Sequence, residues 1–332
     1  MEGGTCLERL NVLEDYGYDI FPINFNMTSY DSDNWDLNRI QRSIEHRMLN
    51  GPMTIALNNE IIKKAHEISP DIVWIDKGRI IFPSTIKELK KFFGAICIHY
   101  TADPAFTVHT SRHFNRAIKF YDLCITNKKY EIETYKKFGA NEVLFVYQGV
   151  DDSRFKNLNS VDSPSRNGSI FIGHCENYYI ETLRGVLDLD SFMQIHGSGW
   201  TRRTKNIIDF NKKIYSDGVW GEQYPITLAN AKIGFGFLCK AYPDQFTTRS
   251  FEIPAAGTML IAERTQEHME IFEEDKEAVF FSGTKELRKK LSKYLDDDYL
   301  RCNISSAGQR RVMEEFTWKK VMLPAITYLE SL

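Results

Sequence analysis

The sequence predicts an α/β protein built from two Rossmann-like domains facing each other across a cleft. Three observations lead there. The chain has 332 residues, more than one hydrophobic core ordinarily serves, which suggests two domains of roughly 150 residues each. Short apolar runs alternate with helical periodicity in both halves, the pattern of a parallel sheet with helices on both faces. Between the halves, residues 148–168 lose that alternation and end in Ser163-Pro164-Ser165-Arg166-Asn167-Gly168, a linker composition. The expected domains are residues 1–150 and 165–314, followed by a terminal helical segment over 315–332.

The elements follow in order. Residues 4–16 read as a helix with Leu7, Leu10 and Leu13 on one face, and 19–23 as a short strand. Residues 36–67 carry helical periodicity with a break at Gly51-Pro52. Residues 71–75, 95–99, 123–126 and 143–146 are compact apolar runs read as buried strands; 85–93, 112–120 and 128–138 read as the helices between them. In the second half the strands are 169–173, 192–196, 232–238, 258–262 and 278–281. The helices there are 179–187, 223–231, 249–256, 284–295, 299–315 and 318–329. A doubly wound domain normally opens with a strand that feeds a glycine turn. Here the chain starts at the turn, Gly3-Gly4-Thr5. The first sheet is therefore expected to lack its opening strand, through truncation or replacement by another segment.

Composition narrows the function. A formal net charge of −3 provides no basic excess to neutralise a phosphate backbone, which argues against a nucleic-acid partner. Cys6, Cys97, Cys124, Cys175, Cys239 and Cys302 show no C-x-x-C spacing and several sit in apolar runs, so they read as reduced and mostly buried. No run approaches the ~20 apolar residues of a membrane span, and the N-terminus has no apolar signal core. The expectation is a cytoplasmic protein, with peripheral contact at the inner face of the membrane left open.

The segment richest in chemistry runs from Asp244 to Ala262. Two carboxylates, Asp244 and Glu252, flank a turn containing Thr247 and Thr248 that leads into a helix. Backbone N–H groups at such a start are free to hold an anion, and either threonine is a candidate cap. Glu252 lies about one turn in, and Gly257 permits a tight exit into the next strand. The competing reading is an ordinary capped helix with a surface acid. Arg249 beside a diphosphate would stabilise a leaving group; otherwise it is a surface arginine paired with an acid.

This segment resembles the retaining glycosyltransferases of the GT-B fold, which carry Glu-x-Phe-Gly-x4-Glu-Ala-x-Ala-x-Gly before an apolar strand. Asp244 stands for the first Glu and Thr247 for the Gly. The wording Arg-Ser-Phe-Glu-Ile-Pro-Ala-Ala-Gly is closer to the CgeB-like, spore-maturation-type branch. Glu267, Thr284-Lys285-Glu286-Leu287 and Ala307 to Val312 also fit, so the close similarity covers roughly residues 165–315. The resemblance implies that Glu252 binds the ribose hydroxyls, that the backbone around Thr247 and Thr248 holds the diphosphate, and that Asp244 contacts the transferred sugar. As an Asp, it reaches about one methylene less far than the Glu of the pattern. It further implies a donor that is a nucleotide-diphosphate sugar, no cofactor beyond it, no metal, and a terminal helix crossing back to the first domain.

Further candidates follow from position. Gly173-His174 leaves the first strand of the second domain, where a ligand-facing loop belongs; His174 either touches phosphate or sugar or is merely exposed. Trp220 stacks on the base or simply packs. Arg202 and Lys205 are substitutes for the family's phosphate-binding cations. Gly4 marks the glycine turn of the first domain. Asp103, before Pro104 at the carboxyl end of a buried strand, is read as a catalytic carboxylate, with a turn-forming role as the alternative. His109 and His113 are four apart, but no third ligand accompanies them, so a metal pair is rejected. Asp296-Asp297-Asp298 reads as a solvated helix start. The expected activity is sugar transfer to an acceptor hydroxyl, on a saccharide, a lipid-linked molecule or a protein, with retention at the anomeric carbon, in surface polysaccharide or glycoconjugate synthesis. The rivals are a nucleotide-sugar 2-epimerase-like isomerase and a non-catalytic nucleotide-sugar-binding protein.

Overall fold

The computed structural model describes residues 5–23, 49–107 and 110–332. The chain forms two compact units, one of Met1–Val12 with Gln148–Leu323 and the other of Leu13–Tyr147 with Pro324–Leu332. They are called here the C-terminal and N-terminal units.

The C-terminal unit holds six parallel strands: β5 (Ser169–Ile172), β6 (Gln194–His196), β7 (Ile214–Ser216), β8 (Ile233–Gly236), β9 (Met259–Glu263) and β10 (Val279–Phe281). Their order across the sheet is β10-β9-β8-β5-β6-β7. Read from the other edge, this is the 3-2-1-4-5-6 order of a doubly wound dinucleotide-type domain, whose winding reverses between its first and fourth strands. Here that switch point lies between β5 and β8, which pair in parallel through Ser169↔Ile233 and Ile170↔Gly234. Every residue of β5, β8, β9 and β10 is buried, as expected where helices cover both faces. Phe171, Phe235, Phe237, Ile261 and Phe281 form the centre of that core.

The N-terminal unit has a parallel sheet of β1 (Ile72–Asp76), β2 (Ile96–Thr101), β3 (Leu123–Thr126) and β4 (Val143–Phe145), in sequential order. Among the described residues no strand precedes β1, which forms one edge of this sheet. Residues 18–23, expected to contain a strand, form no regular element; Pro22 has no N–H to give to a ladder. Helix Pro52–Ile68 begins at the expected Gly51-Pro52 break, while the rest of the 36–67 periodicity lies partly outside the described residues.

The first helix, Thr5–Asp15, differs from expectation in its affiliation: up to Val12 it groups with the C-terminal unit. The cause is Glu8, whose carboxylate accepts from the Trp318 indole Nε1 at 2.7 Å and pairs with Arg154 at 2.5 Å. Trp318 is fully buried, and its backbone N–H donates to Val150 while Val150 donates to Phe316. The last helix, Trp318–Glu330, is divided between the units at Pro324, where the ring removes one backbone donor. Beyond it, the Tyr328 hydroxyl donates to the Asp122 carbonyl at 3.3 Å.

Candidate functional site

The carboxyl ends of β5 and β8, at the switch point, carry the most elaborate polar construction in the C-terminal unit. The chain leaves β5 at Gly173, whose N–H donates to the His196 carbonyl at 2.9 Å and whose carbonyl accepts from Trp200 Nε1 at 2.8 Å. A Cβ there would lie 2.9 Å from the Phe171 ring and 3.0 Å from an Arg249 guanidinium nitrogen. Gly197, at φ +142°, comes so close to Gly173 that a Cβ would sit 2.0 Å from its carbonyl oxygen. Gly197 thus packs against the Gly173 backbone, and Gly173 is itself hemmed in by the Phe171 ring and the Arg249 guanidinium, so neither position has room for a Cβ.

Arg249 opens the helix Arg249–Ala255 and turns its guanidinium onto the strand ends. Nη2 donates to the Phe237 carbonyl at 2.8 Å, Nη1 reaches the Ile172 carbonyl at 3.4 Å, and the group lies 5.3 Å from the Phe171 ring centre. Its Nε is buried without a partner, and among the described residues no carboxylate forms an ion pair with it. A cation held by neutral carbonyls and an aromatic face keeps its charge available to an anion.

Glu252 follows one turn later. Its Oε2 accepts from the Tyr224 hydroxyl at 2.6 Å. Burial raises the Glu252 carboxyl above its ordinary range; the Tyr224 hydrogen bond opposes this, Glu8 adds to it, and Arg154 and Arg249 oppose it. Burial and the neighbouring carboxylate push the Tyr224 phenol well above its usual value, so it remains a donor. Arg154, bridged to Glu8, also donates to the Gly221 carbonyl at 3.2 Å. Sequence reasoning missed Arg154 and Glu8, which are 146 residues apart and meet only through the fold. Tyr224 lies four residues after Trp220, and its role comes from the contact rather than from any spacing.

The turn before this helix corrects two expectations. Neither threonine caps the helix: Thr248 makes no side-chain cap, and its hydroxyl instead donates to Gln148 Oε1 at 2.7 Å. The Thr247 N–H, expected to help hold diphosphate, is occupied by Ser250 Oγ at 3.1 Å. Among the described residues the amides of Thr248 and Arg249 make no such bond. Ser250 Oγ in turn lies 2.8 Å from His268 Nε2, and His268 Nδ1 is 2.7 Å from the Glu263 carbonyl. The Thr265 hydroxyl donates to the Gln245 carbonyl at 2.6 Å, so the segment after β9 grips the turn twice.

Burial lowers the His268 imidazole to about 4, and burial in the N-terminal unit lowers His99 to about 3. Both values are depressed relative to an unfolded histidine near 6.5, so the unfolded chain binds more protons on acidification. Stability contributed by these neutral rings is present above about pH 6.5 and is lost as pH falls toward the folded values. Each should cost on the order of 2 kcal/mol by pH 5. Urea unfolding at pH 7 and pH 5 measures the sum, and equal midpoints would contradict the burial.

The other expected residues are dispersed. His174 is exposed and bonds to Glu176 at 2.7 Å. Trp220 is 73% exposed and covers Gly218, so it is not core packing. Asp244 is half-buried in the loop before the turn. Arg202 and Lys205 are exposed at the helix Trp200–Thr204, well placed for solvent. Asp103 stands in the N-terminal unit, in the loop after β2, paired with Lys77 at 2.6 Å. Lys77 adopts φ +64° at the end of β1, and its carbonyl meets His99 Nε2 at 3.2 Å. Gly4 and His109 lie outside the described residues. Asp297 caps the following helix by accepting from the Leu300 N–H. Among the described residues no cluster of three or more His, Cys, Asp or Glu is arranged to hold a metal, and no helix is long and apolar enough to cross a membrane. None of the six cysteines forms a disulfide.

The fold has counterparts among solved structures. The Anabaena protein HepE in complex with UDP and glucose superposes with a TM-score of 0.64 at 13% identity, covering 99% of this chain and 96% of that one. A glycosyltransferase from Rickettsia africae gives 0.62 at 17% identity, with 99% and 88% covered. The sucrose-phosphate synthase of Thermosynechococcus elongatus gives 0.64 at 12% identity, with 84% and 78% covered. The fold is GT-B. A family profile described as glycosyl transferase-like matches residues 180–326, which include Tyr224, Arg249 and Glu252. No curated protein sequence matches the chain.

Proposed function

We propose that the protein is a glycosyltransferase that moves a sugar from a nucleotide-diphosphate donor to an acceptor hydroxyl. The observation that carries this reading is the pair Arg249 and Glu252, three residues apart on one helix at the switch point between β5 and β8. An unpaired guanidinium suits a diphosphate; a carboxylate with one oxygen committed to Tyr224 has a second for ribose hydroxyls. The glycosyl transferase-like profile over 180–326 and the UDP held by the structurally similar HepE support it.

In this reading the bond from the anomeric carbon to the diphosphate breaks, and the electron pair leaves on a phosphate oxygen stabilised by Arg249 and the Thr248 and Arg249 amides. The acceptor oxygen attacks from the same face, giving retention, and its proton passes to the departing phosphate. Charge stabilisation comes from the protein rather than from a metal. Asp244 orients the transferred sugar, and Trp220 and Gly173-His174 border the nucleotide. The wording around Glu252 resembles that of the CgeB-like branch and supports a role on saccharide, lipid-linked or protein acceptors of surface glycoconjugates.

Thermal shifts with UDP, GDP, ADP and their sugars test donor binding. Nucleoside diphosphate release that rises with added acceptor saccharides tests transfer. Stabilisation by none of the nucleotides would overturn the reading, and isomerisation of donor alone would replace it with an epimerase.

A further inference from the structure

We propose that Ser250 and His268 are positioning residues that set the geometry of the diphosphate-side turn, an inference that rests on the transferase reading above. Both are fully buried. Their hydrogen bonds form one directed chain. The Glu263 carbonyl can only accept, so His268 carries its proton on Nδ1 and donates it there. Nε2 is then an acceptor and takes the Ser250 hydroxyl proton. Ser250 Oγ, with its own proton committed, accepts the Thr247 N–H. The relay thus runs from the end of β9 to the residue immediately before the free Thr248 and Arg249 amides.

A buried histidine satisfied by two neighbours is ordinarily just core. Two features set this one apart. Its chain ends on a backbone N–H of the turn rather than within the core, and a second tie from the same segment, Thr265 to the Gln245 carbonyl, holds that turn two residues earlier. With both ties in place the Thr247 amide is withheld from any ligand, and the next two amides are presented instead. Stacking of His268 on Phe280, with ring centres 5.6 Å apart and planes 9° apart, fixes the imidazole plane on which the relay depends.

The two nitrogens can be separated by substitution. His268→Gln places an acceptor near the Nε2 position and keeps the link to Ser250. His268→Asn keeps a donor near Nδ1 for the Glu263 carbonyl and breaks the relay. Calorimetric titration with UDP should show His268→Asn and Ser250→Ala each weakening affinity roughly tenfold, the scale of one or two net hydrogen bonds. His268→Gln should remain within roughly threefold of wild type, and Ser250→Ala combined with His268→Asn should be no worse than either alone. Hydrogen exchange over residues 244–250 reads the turn without any ligand, and should accelerate in Ser250→Ala and His268→Asn but not in His268→Gln. Equal affinities and unchanged exchange in the relay-breaking variants would overturn the proposal. Accelerated exchange in a protein that binds no nucleoside diphosphate would keep the relay and refute the transferase reading instead.

Discussion

Replacing Glu252 by alanine should weaken nucleoside diphosphate binding by about 2–4 kcal/mol, the value of one or two charge-assisted hydrogen bonds to ribose hydroxyls. That corresponds to roughly 30-fold to 1,000-fold in dissociation constant. The fold should survive. Burial raises the carboxyl's pKa, so keeping this group charged in the fold carries a cost that alanine removes. Against that, the Tyr224 hydroxyl loses its acceptor, a cost that offsets part of this gain. The melting temperature should therefore move little while affinity collapses. Glu252→Gln retains an acceptor for Tyr224 and should bind better than alanine but worse than wild type. Because the carboxyl is raised, wild-type affinity should begin to fall on acidification at a higher pH than an ordinary glutamate would give. Titration calorimetry on the three proteins checks this, and unchanged affinity in Glu252→Ala would remove the residue from the donor site.

The helix position of Glu252 was legible in the sequence, while its surroundings were not, because of the range over which each is determined. A helix of period 3.6 followed by a fully buried five-residue strand fixes the local frame, so residues 249–262 can be placed from their own pattern. Among the described residues the alternation likewise located nine of the ten strands to within a few residues, and added one at 19–23 that does not form. It missed β7, a three-residue edge strand whose Tyr215 is exposed and which carries no apolar run. The Arg154–Glu8 pair and the Ser250–His268 relay depend on which strand ends become neighbours, and sheet order is not written in any local window. Ser250 is illustrative: composition suggested a threonine cap, but the serine two or three residues on takes the Thr247 N–H because His268 orients its hydroxyl. The affiliation of the first helix with the C-terminal unit was hidden for the same reason, since Glu8 and Trp318 are 310 residues apart.

The largest effect on stability should come from a residue that composition assigned to a linker. Arg166 sits in the Ser-Pro-Ser-Arg-Asn-Gly stretch, yet it is only 4% exposed. Its Nε donates to the Ser160 carbonyl at 2.8 Å, Nη1 to Thr258 Oγ1 at 3.0 Å and the Ala231 carbonyl at 3.3 Å, and Nη2 to the Asn159 and Ala256 carbonyls at 2.7 and 2.8 Å. One planar guanidinium thus joins the 159–160 stretch, the loop entering β8 and the exit of the Glu252 helix. Gly257, at φ +67°, lets the chain pass so close that a Cβ would lie 3.0 Å from Nη2. Burial lowers the guanidinium to about 10, which still leaves it charged at neutral pH. Methionine has similar length but donates nothing, so Arg166→Met leaves several buried acceptors without partners, each worth about 1–3 kcal/mol before relaxation. After water and backbone shifts recover part of that, a net loss of about 3–5 kcal/mol is expected, large for a single substitution. Lysine should not rescue it, because a single ammonium offers three donors from one point where five acceptors surround a planar fork. Since the helix exit at Ala256 is one of the carbonyls released, nucleotide affinity should fall as well, though less than in Glu252→Ala. Denaturant unfolding of the C-terminal unit is the measurement, and a loss below about 1 kcal/mol for Arg166→Met would mean that the stretch is a linker after all, with the arginine merely resting on the sheet.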